Sequence, residues 1–208
     1  MHKSIKNLED INKELKLEIK EDSLPNIIAV SKTFSLSEIM PLVDYGHIHF
    51  GENKVQEAIA KWTEIKVKYP TIKLHLIGKL QTNKVKYVVK LFDYIHSLDN
   101  KKLAKKISDE QSKYEKKMKI FIQVNIGEEN QKSGVNQEEL DDFYSFCIKL
   151  NLDIVGLMCI PPINKDPKNL FKKMHNLTKK LNLKELSMGM SADYIEATKS
   201  YSTYLRIG

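Results

Sequence analysis

The run Ala29-Val30-Ser31-Lys32-Thr33-Phe34-Ser35 carries a β-rich segment straight into a loop without a single glycine. An open, doubly wound α/β sheet would place a glycine-rich turn here, because its backbone has to approach a phosphate closely as the next helix starts. Reading outward from this run, the same unit recurs along the chain. β-rich runs at 27–31, 47–50, 74–77, 94–97, 119–125, 154–160, 185–190 and 202–207 alternate with helical patterns at 37–44, 53–69, 82–91, 101–117, 137–151, 167–181 and 191–200. Unbroken alternation calls for parallel strands joined by right-handed crossovers, and eight such strands close into a (β/α)8 TIM-type barrel. Ahead of the barrel, Ile5, Leu8, Ile11, Leu15 and Ile19 recur at spacings of three and four, which predicts an extra amphipathic helix over 4–20. Residues 1–208 read as one domain.

Composition narrows the class. The chain is 41% hydrophobic and 29% charged with no apolar run long enough to span a bilayer, and its first residues lack a secretory pattern, so a cytoplasmic, membrane-free protein is expected. Cys147 and Cys159 lack metal or redox spacing and read as buried thiols. The net charge of +7 raises nucleic-acid binding, but the basic residues are lysines beside Asp and Glu, as on solvated helix faces, with Arg206 the single arginine. No nucleic-acid partner is expected, and the chain reads as a monomer. A chain that uses lysine wherever a cation is wanted and keeps one arginine points to a position that needs a planar donor fork.

In a barrel of this kind the working residues sit where strands run out into loops. Those ends are polar here: Ser31-Lys32-Thr33, Gly51-Glu52-Asn53, Gly78 to Lys84, Ser97-Leu98-Asp99, Gln123 with Asn125, Met188-Gly189-Met190-Ser191 and Arg206-Ile207-Gly208. By two-residue alternation Lys32 shares the face of Ile28 and Val30, which predicts a lysine pointing along the barrel interior. Two readings stay open at this point. One is an amine whose charge is disfavoured by burial and which condenses with a carbonyl; the other is a buried ion pair with Glu52 or Asp99.

Across the rim, Ser191 and the glycine-containing end of the last strand have the character of a phosphate cradle. A reactive lysine opposite such a cradle and an arginine suits pyridoxal 5′-phosphate, with the arginine facing the ring nitrogen. An arginine partner does not give up its proton, so the ring nitrogen stays unprotonated and the ring is a weaker electron sink than with an aspartate. His47-Ile48-His49 has the letters of a metal-hydrolase HxH but lies on the wrong strand and lacks the aspartate that would end the eighth, so no metal is expected. Lys132-Ser133-Gly134 lacks the upstream glycine of a nucleotide loop. Trp62 with Val55, Ile59 and Ile65 reads as a helix face packed on the barrel.

The motifs AVSK (29–32), FGEN (50–53) followed by Gln56-Glu57, HLIGKLQTNK (75–84), QVNI (123–126), KSG (132–134), GLM (156–158), LSMGMS (186–191) and STYLRIG (202–208) resemble the YggS/PROSC family of pyridoxal-phosphate homeostasis proteins. Their order covers nearly the whole chain. The resemblance implies a barrel similar to the N-terminal domain of alanine racemase. It also implies a Schiff base between Lys32 and pyridoxal phosphate, Arg206 at the pyridine nitrogen, phosphate held by Ser191 and the amide of Gly208, and Asn53 and Met188 near the cofactor. His75, Gln81 and Asn83 match motif positions without a derivable role.

Two departures from the family pattern are visible. Tyr201 stands where the family has glycine, which predicts a distorted entry into the last strand. The chain stops at Gly208 where family members continue into a final helix, which predicts a missing phosphate donor, weaker cofactor retention, and Leu205 and Ile207 facing outward, with the N-terminal helix covering part of the gap. The resemblance favours a protein that binds, stores or delivers the cofactor, to apo-enzymes or small amines, without catalytic turnover. The alternative is a low-activity pyridoxal-phosphate enzyme such as an amino-acid racemase.

Overall fold

The computed structural model describes residues 1–19, 24–129 and 133–208. Eight parallel strands, β1 (Asn26–Val30), β2 (His49–Glu52), β3 (Lys73–Leu76), β4 (Tyr94–Leu98), β5 (Lys119–Gln123), β6 (Asp153–Met158), β7 (Glu185–Met190) and β8 (Tyr204–Ile207), close into a barrel in sequence order. The N-terminal helix α1 (Lys3–Glu18) precedes β1. The crossovers carry α2 (Leu36–Asp44), α3 (Val55–Lys68), α4 (Val85–Leu91), α5 (Lys101–Tyr114), α6 (Leu140–Lys149), α7 (Pro167–Lys180) and α8 (Tyr194–Lys199). Among the described residues no helix is long and apolar enough to cross a membrane. Lys132 and residue 20 of the expected first helix lie outside the described residues.

Each expected strand is present, and the boundaries move for local reasons. β2 starts two residues late because the His47 ring turns back onto the His49 carbonyl at 2.9 Å. β8 starts at Tyr204 because Ser202 spends its hydroxyl on the Met188 carbonyl of β7 at 2.7 Å, while Thr203 Oγ1 accepts from the Leu186 amide at 2.8 Å. Helices α4 and α6 open through 3₁₀ turns, Thr82–Lys84 and Gln137–Glu139.

Alternation along the strands splits the core into two layers. Outward-facing residues such as Phe50, Leu74, Leu76, Ile120 and Ile122 pack under the helices, together with Trp62, Val55 and Ile65 of α3 and the buried Cys147. The barrel interior is filled by Ile28, Tyr94, Phe121, Met158 and Tyr204, interleaved with the rings of His49, His75 and His96. Both cysteine thiols are buried, and burial pushes each up to about 12.

The flank of β8 is closed, which corrects the expectation that Leu205 and Ile207 face outward. Leu205 is fully buried and Ile207 half-buried. Helix α1 lies alongside α2 and α8, burying Leu15. It is pinned by Tyr45 Oη donating to Glu9 at 2.9 Å, by Tyr194 donating to Glu14, and by a Lys199–Glu18 ion pair at 2.8 Å. The strand entry at Tyr201 is also regular. Tyr201 adopts φ +68°, the left-handed conformation that favours glycine, and there ends α8, with the Ser202 amide donating to the Ala197 carbonyl at 3.0 Å. Its ring stacks on His175 at 4.4 Å, a contact that offsets part of the backbone strain.

Candidate functional site

Strand register gathers the singled-out residues at the C-terminal end of the barrel. Ile28 pairs with Arg206 and Ala29 with Ile207, so the β8 end runs beside Val30, one turn below Lys32. On the other side Val30 pairs with Gly51, which brings Asn53 to the same rim. The β1, β2 and β8 ends that carry Lys32, Asn53 and Gly208 are therefore neighbours.

Lys32 is exposed, in a turn just beyond β1, and this corrects the expectation of a lysine held against the apolar interior. Strand pleating places only residues that are still in the strand; at Ser31 the chain leaves it. The following Thr33 has φ +66°, an outlier for a β-branched side chain, and such strain collects at functional turns. The alternative of a buried ion pair with Glu52 or Asp99 is also overturned, because Lys32 is exposed, and Glu52 has another partner. Glu52 is fully buried, and its Oε1 accepts from Ser31 Oγ at 2.8 Å, Lys61 Nζ at 2.9 Å and Trp62 Nε1 at 2.9 Å. Lys61 Nζ also donates to the Ser31 carbonyl at 2.7 Å. From behind the sheet, α3 thus holds the Ser31 carbonyl directly through Lys61, and the Ser31 hydroxyl through the β2 residue Glu52 that Lys61 and Trp62 anchor.

Asn53 is half-buried and is seated by a glycine across from it. A Cβ built on Gly78 would come within 2.3 Å of the Asn53 carbonyl oxygen and 2.7 Å of its Cα. Both atoms are backbone, so no side-chain rotation relieves the clash. Gly78→Ala is therefore expected to lower stability by about 1–3 kcal/mol, roughly 2–4 °C per kcal/mol in a chain of this size, by displacing the β2 end. Thermal unfolding with a midpoint equal to that of the parent chain would show that Asn53 is not held this way.

At the opposite edge, Ser191 follows β7 and is exposed. Its Oγ accepts from the Gly208 amide at 3.4 Å and donates to the Gly208 carbonyl at 3.3 Å. These are long contacts, and they bring a hydroxyl and a main-chain amide together at the solvent edge, the donor types an anion recruits. Met188 is a correction: it is fully buried and its side chain lies in the layer between strands and helices, because pleating turns Ser187 inward and Met188 outward. Gln81 and Asn83 are exposed on the loop after β3, while His75 lies deep inside the barrel.

Arg206 is buried, with its guanidinium inside the barrel. Nη1 donates to Ser187 Oγ at 2.7 Å and Nη2 to the Cys159 carbonyl at 2.8 Å. Two acceptors at fixed separation account for an arginine in a chain otherwise supplied with lysine, since an ammonium could not span them in one plane. Burial lowers its pKa from the ordinary arginine value while it stays a cation. Ser187, His96, Glu52 in its clamping role and Lys61 are the functional residues that sequence reading missed. A polar residue on the inward face of a strand was the available signal for Ser187 and His96. No sequence signal marks Lys61, whose partnership arises only when α3 folds over β2.

The family described as alanine racemase, N-terminal domain, matches residues 7–208. The pyridoxal phosphate homeostasis protein of Aquifex aeolicus is 35% identical over 97% of this chain and 92% of its own length; that of Pasteurella multocida is 35% identical over 90% and 85%. Among solved structures, PipY of Synechococcus elongatus, determined with PLP bound and without it, superposes with a TM-score of 0.86 at 32% identity, covering 98% of this chain and 96% of that one.

Proposed function

The chain belongs to the pyridoxal phosphate homeostasis protein family, built on the alanine racemase N-terminal fold, and on that premise we propose that it binds pyridoxal 5′-phosphate at the rim formed by Lys32, Asn53, Ser191, Arg206 and Gly208. The observation that carries the reading is the donor set of this rim. An exposed primary amine at Lys32 suits an aldehyde; the Ser191 hydroxyl beside the Gly208 amide suits a phosphate; and a buried guanidinium with three N–H groups beyond its two intramolecular bonds suits the lone pair of a ring nitrogen. Pyridoxal phosphate, when bound, supplies an electrophilic aldehyde on an electron-withdrawing ring.

The chain's own residues then divide the work. Lys61 and Glu52 hold Ser31, so that Lys32 starts from a fixed backbone on a flexible side chain. Arg206 offers a donor that stays protonated, which keeps a ring nitrogen opposite it as an acceptor and weakens the ring as an electron sink. No general acid or base is placed beside Lys32 by the strand ends described above. That balance favours holding and handing over the cofactor, within the cell and to apo-enzymes or small amines, over turning a substrate over.

The experiment is an absorbance spectrum of the protein with added pyridoxal phosphate, then borohydride reduction and peptide mass mapping, with a second sample of loaded protein mixed with an apo-enzyme. A yellow band, a single reduced adduct on Lys32, and transfer faster than release into buffer are expected. Label scattered over surface lysines would refute the binding site, and transfer no faster than release would refute delivery.

A further inference from the structure

Arg206 is a buried cation with no carboxylate in ion-pair contact among the described residues; Asp193 acts on it only at a distance. A desolvated charge in that position needs compensation from elsewhere. The structure supplies it along one line through the barrel interior. Arg206 Nη1 donates to Ser187 Oγ at 2.7 Å, and Ser187 Oγ lies 2.9 Å from His96 Nδ1. His96 Nε2 lies 2.9 Å from His75 Nδ1, and His75 Nε2 lies 2.9 Å from His49 Nδ1. The line crosses β8, β7, β4, β3 and β2 and ends at the half-buried His49. Two of the rings are fixed by stacking, His75 on Tyr94 at 4.2 Å and His96 on Phe121 at 4.3 Å.

Proton counting gives the line a direction. Each ring-to-ring hydrogen bond needs one proton between two nitrogens, so the choice made at one ring fixes the next. If the protons sit on the Nε2 atoms, Ser187 accepts from Arg206 and donates to His96, His96 donates to His75, and His75 donates to His49; every polar group between Arg206 and His49 Nδ1 is used. In the reverse setting Ser187 accepts twice and its own buried proton has no acceptor, which is costly. Burial and the neighbouring Arg206 also hold His96 in its neutral form, and burial with the neighbouring histidines does the same for His75.

We propose that Ser187, His96, His75 and His49 form a one-directional chain of hydrogen bonds whose lone-pair end faces Arg206, so that Ser187 and His96 are positioning residues for the guanidinium. Aligned dipoles that polarise one another offset the charge without a carboxylate, which would occupy the N–H groups that a ligand needs. The consequence for the cofactor rests on Arg206 facing its ring nitrogen, as argued above; the direction of the chain does not.

The test is long-range proton–nitrogen NMR of the imidazoles in the ¹⁵N-labelled full chain without added cofactor, followed by the same spectrum and a pyridoxal-phosphate titration of Ser187→Ala. The parent chain is expected to show His49, His75 and His96 as single neutral forms protonated at Nε2 at pH 7.5. Ser187→Ala is expected to move the His96 Nδ1 resonance and to weaken cofactor binding roughly tenfold, with borohydride still fixing the adduct at Lys32. A proton on Nδ1 of His75 or His96, or a charged ring, overturns the proposal from the parent spectrum alone, whether or not the variant folds. An unmoved His96 resonance in a folded variant overturns it as well. If the parent chain binds no pyridoxal phosphate yet shows the Nε2 pattern and the Ser187→Ala shift, the functional reading fails and the chain of histidines stands.

Discussion

Lys32→Ala is expected to abolish covalent fixation of pyridoxal phosphate while leaving the folded chain as stable as the parent. The two halves of that result have separate causes. Lys32 is exposed beyond the last residue of β1, and exposed substitutions away from caps, networks and special backbone fall within about 0.5 kcal/mol. Thr33, whose φ of +66° carries the turn, is untouched, and so is the clamp that Lys61 and Glu52 close on Ser31. The amine behind the turn cannot take its place, because Lys61 is committed to Glu52 and the Ser31 carbonyl. Binding through Ser191, Gly208 and Arg206 should persist in weakened form, so the variant is expected to show free-aldehyde absorbance and no adduct after borohydride. One equivalent of reduced label on another lysine would remove Lys32 from its role. A thermal midpoint lowered by more than a few degrees would mean that the turn depends on the side chain it presents.

The same turn shows how far a sequence carries this kind of argument. Alternation of period-2 and period-3.6 segments was sufficient for the barrel, since each of eight expected strands appears in order and closes onto its neighbours. The rim followed from it, because parallel strands in one barrel end on one face. What alternation could not supply was side-chain direction past a strand end, and that is why Lys32 was expected inside. It also misjudged Met188, taken for a rim residue from its motif, although inward placement of Ser187 turns it outward. The flank at β8 was expected to be only partly covered, by the N-terminal helix, because the main covering element was sought after β8, whereas α1 packed against α2 and α8 leaves Leu205 fully buried. Arg206 was legible as a position needing a fork, yet its partners were not, since a carbonyl on Cys159 and a hydroxyl on Ser187 meet it only through register.

The interior histidines carry the second large effect, a steep loss of stability in mild acid. His49 is held down at about 4, mainly by burial and then by His47 and Lys73, with Asp93 opposing. His75 and His96 are held well below the ordinary histidine value, chiefly by burial, then by the neighbouring rings for His75 and by Arg206 for His96. In the folded chain these groups are neutral, whereas in the unfolded chain they take up protons below about pH 6.5. The unfolded state therefore binds more protons, and stability rises with pH across this range. Their contribution is fully present above about pH 6.5 and is lost as pH falls toward 4. Each neutral histidine contributes a slope that approaches about 1.4 kcal/mol per pH unit only well below pH 6.5, so two or three of them remove roughly 3–5 kcal/mol between pH 6.5 and 5. For a chain of this size that is a fall of roughly 6–20 °C in the unfolding midpoint, in a window where ordinary carboxylates scarcely titrate. Scanning calorimetry between pH 7.5 and 5 measures it directly, and His96→Phe, which keeps a ring against Phe121, should remove one proton's worth of slope. A midpoint that stays level across the window would mean that the rings are already charged in the folded barrel, and a buried triple cation beside Arg206 would then have to be explained by counter-charges that the interior does not contain among its described residues.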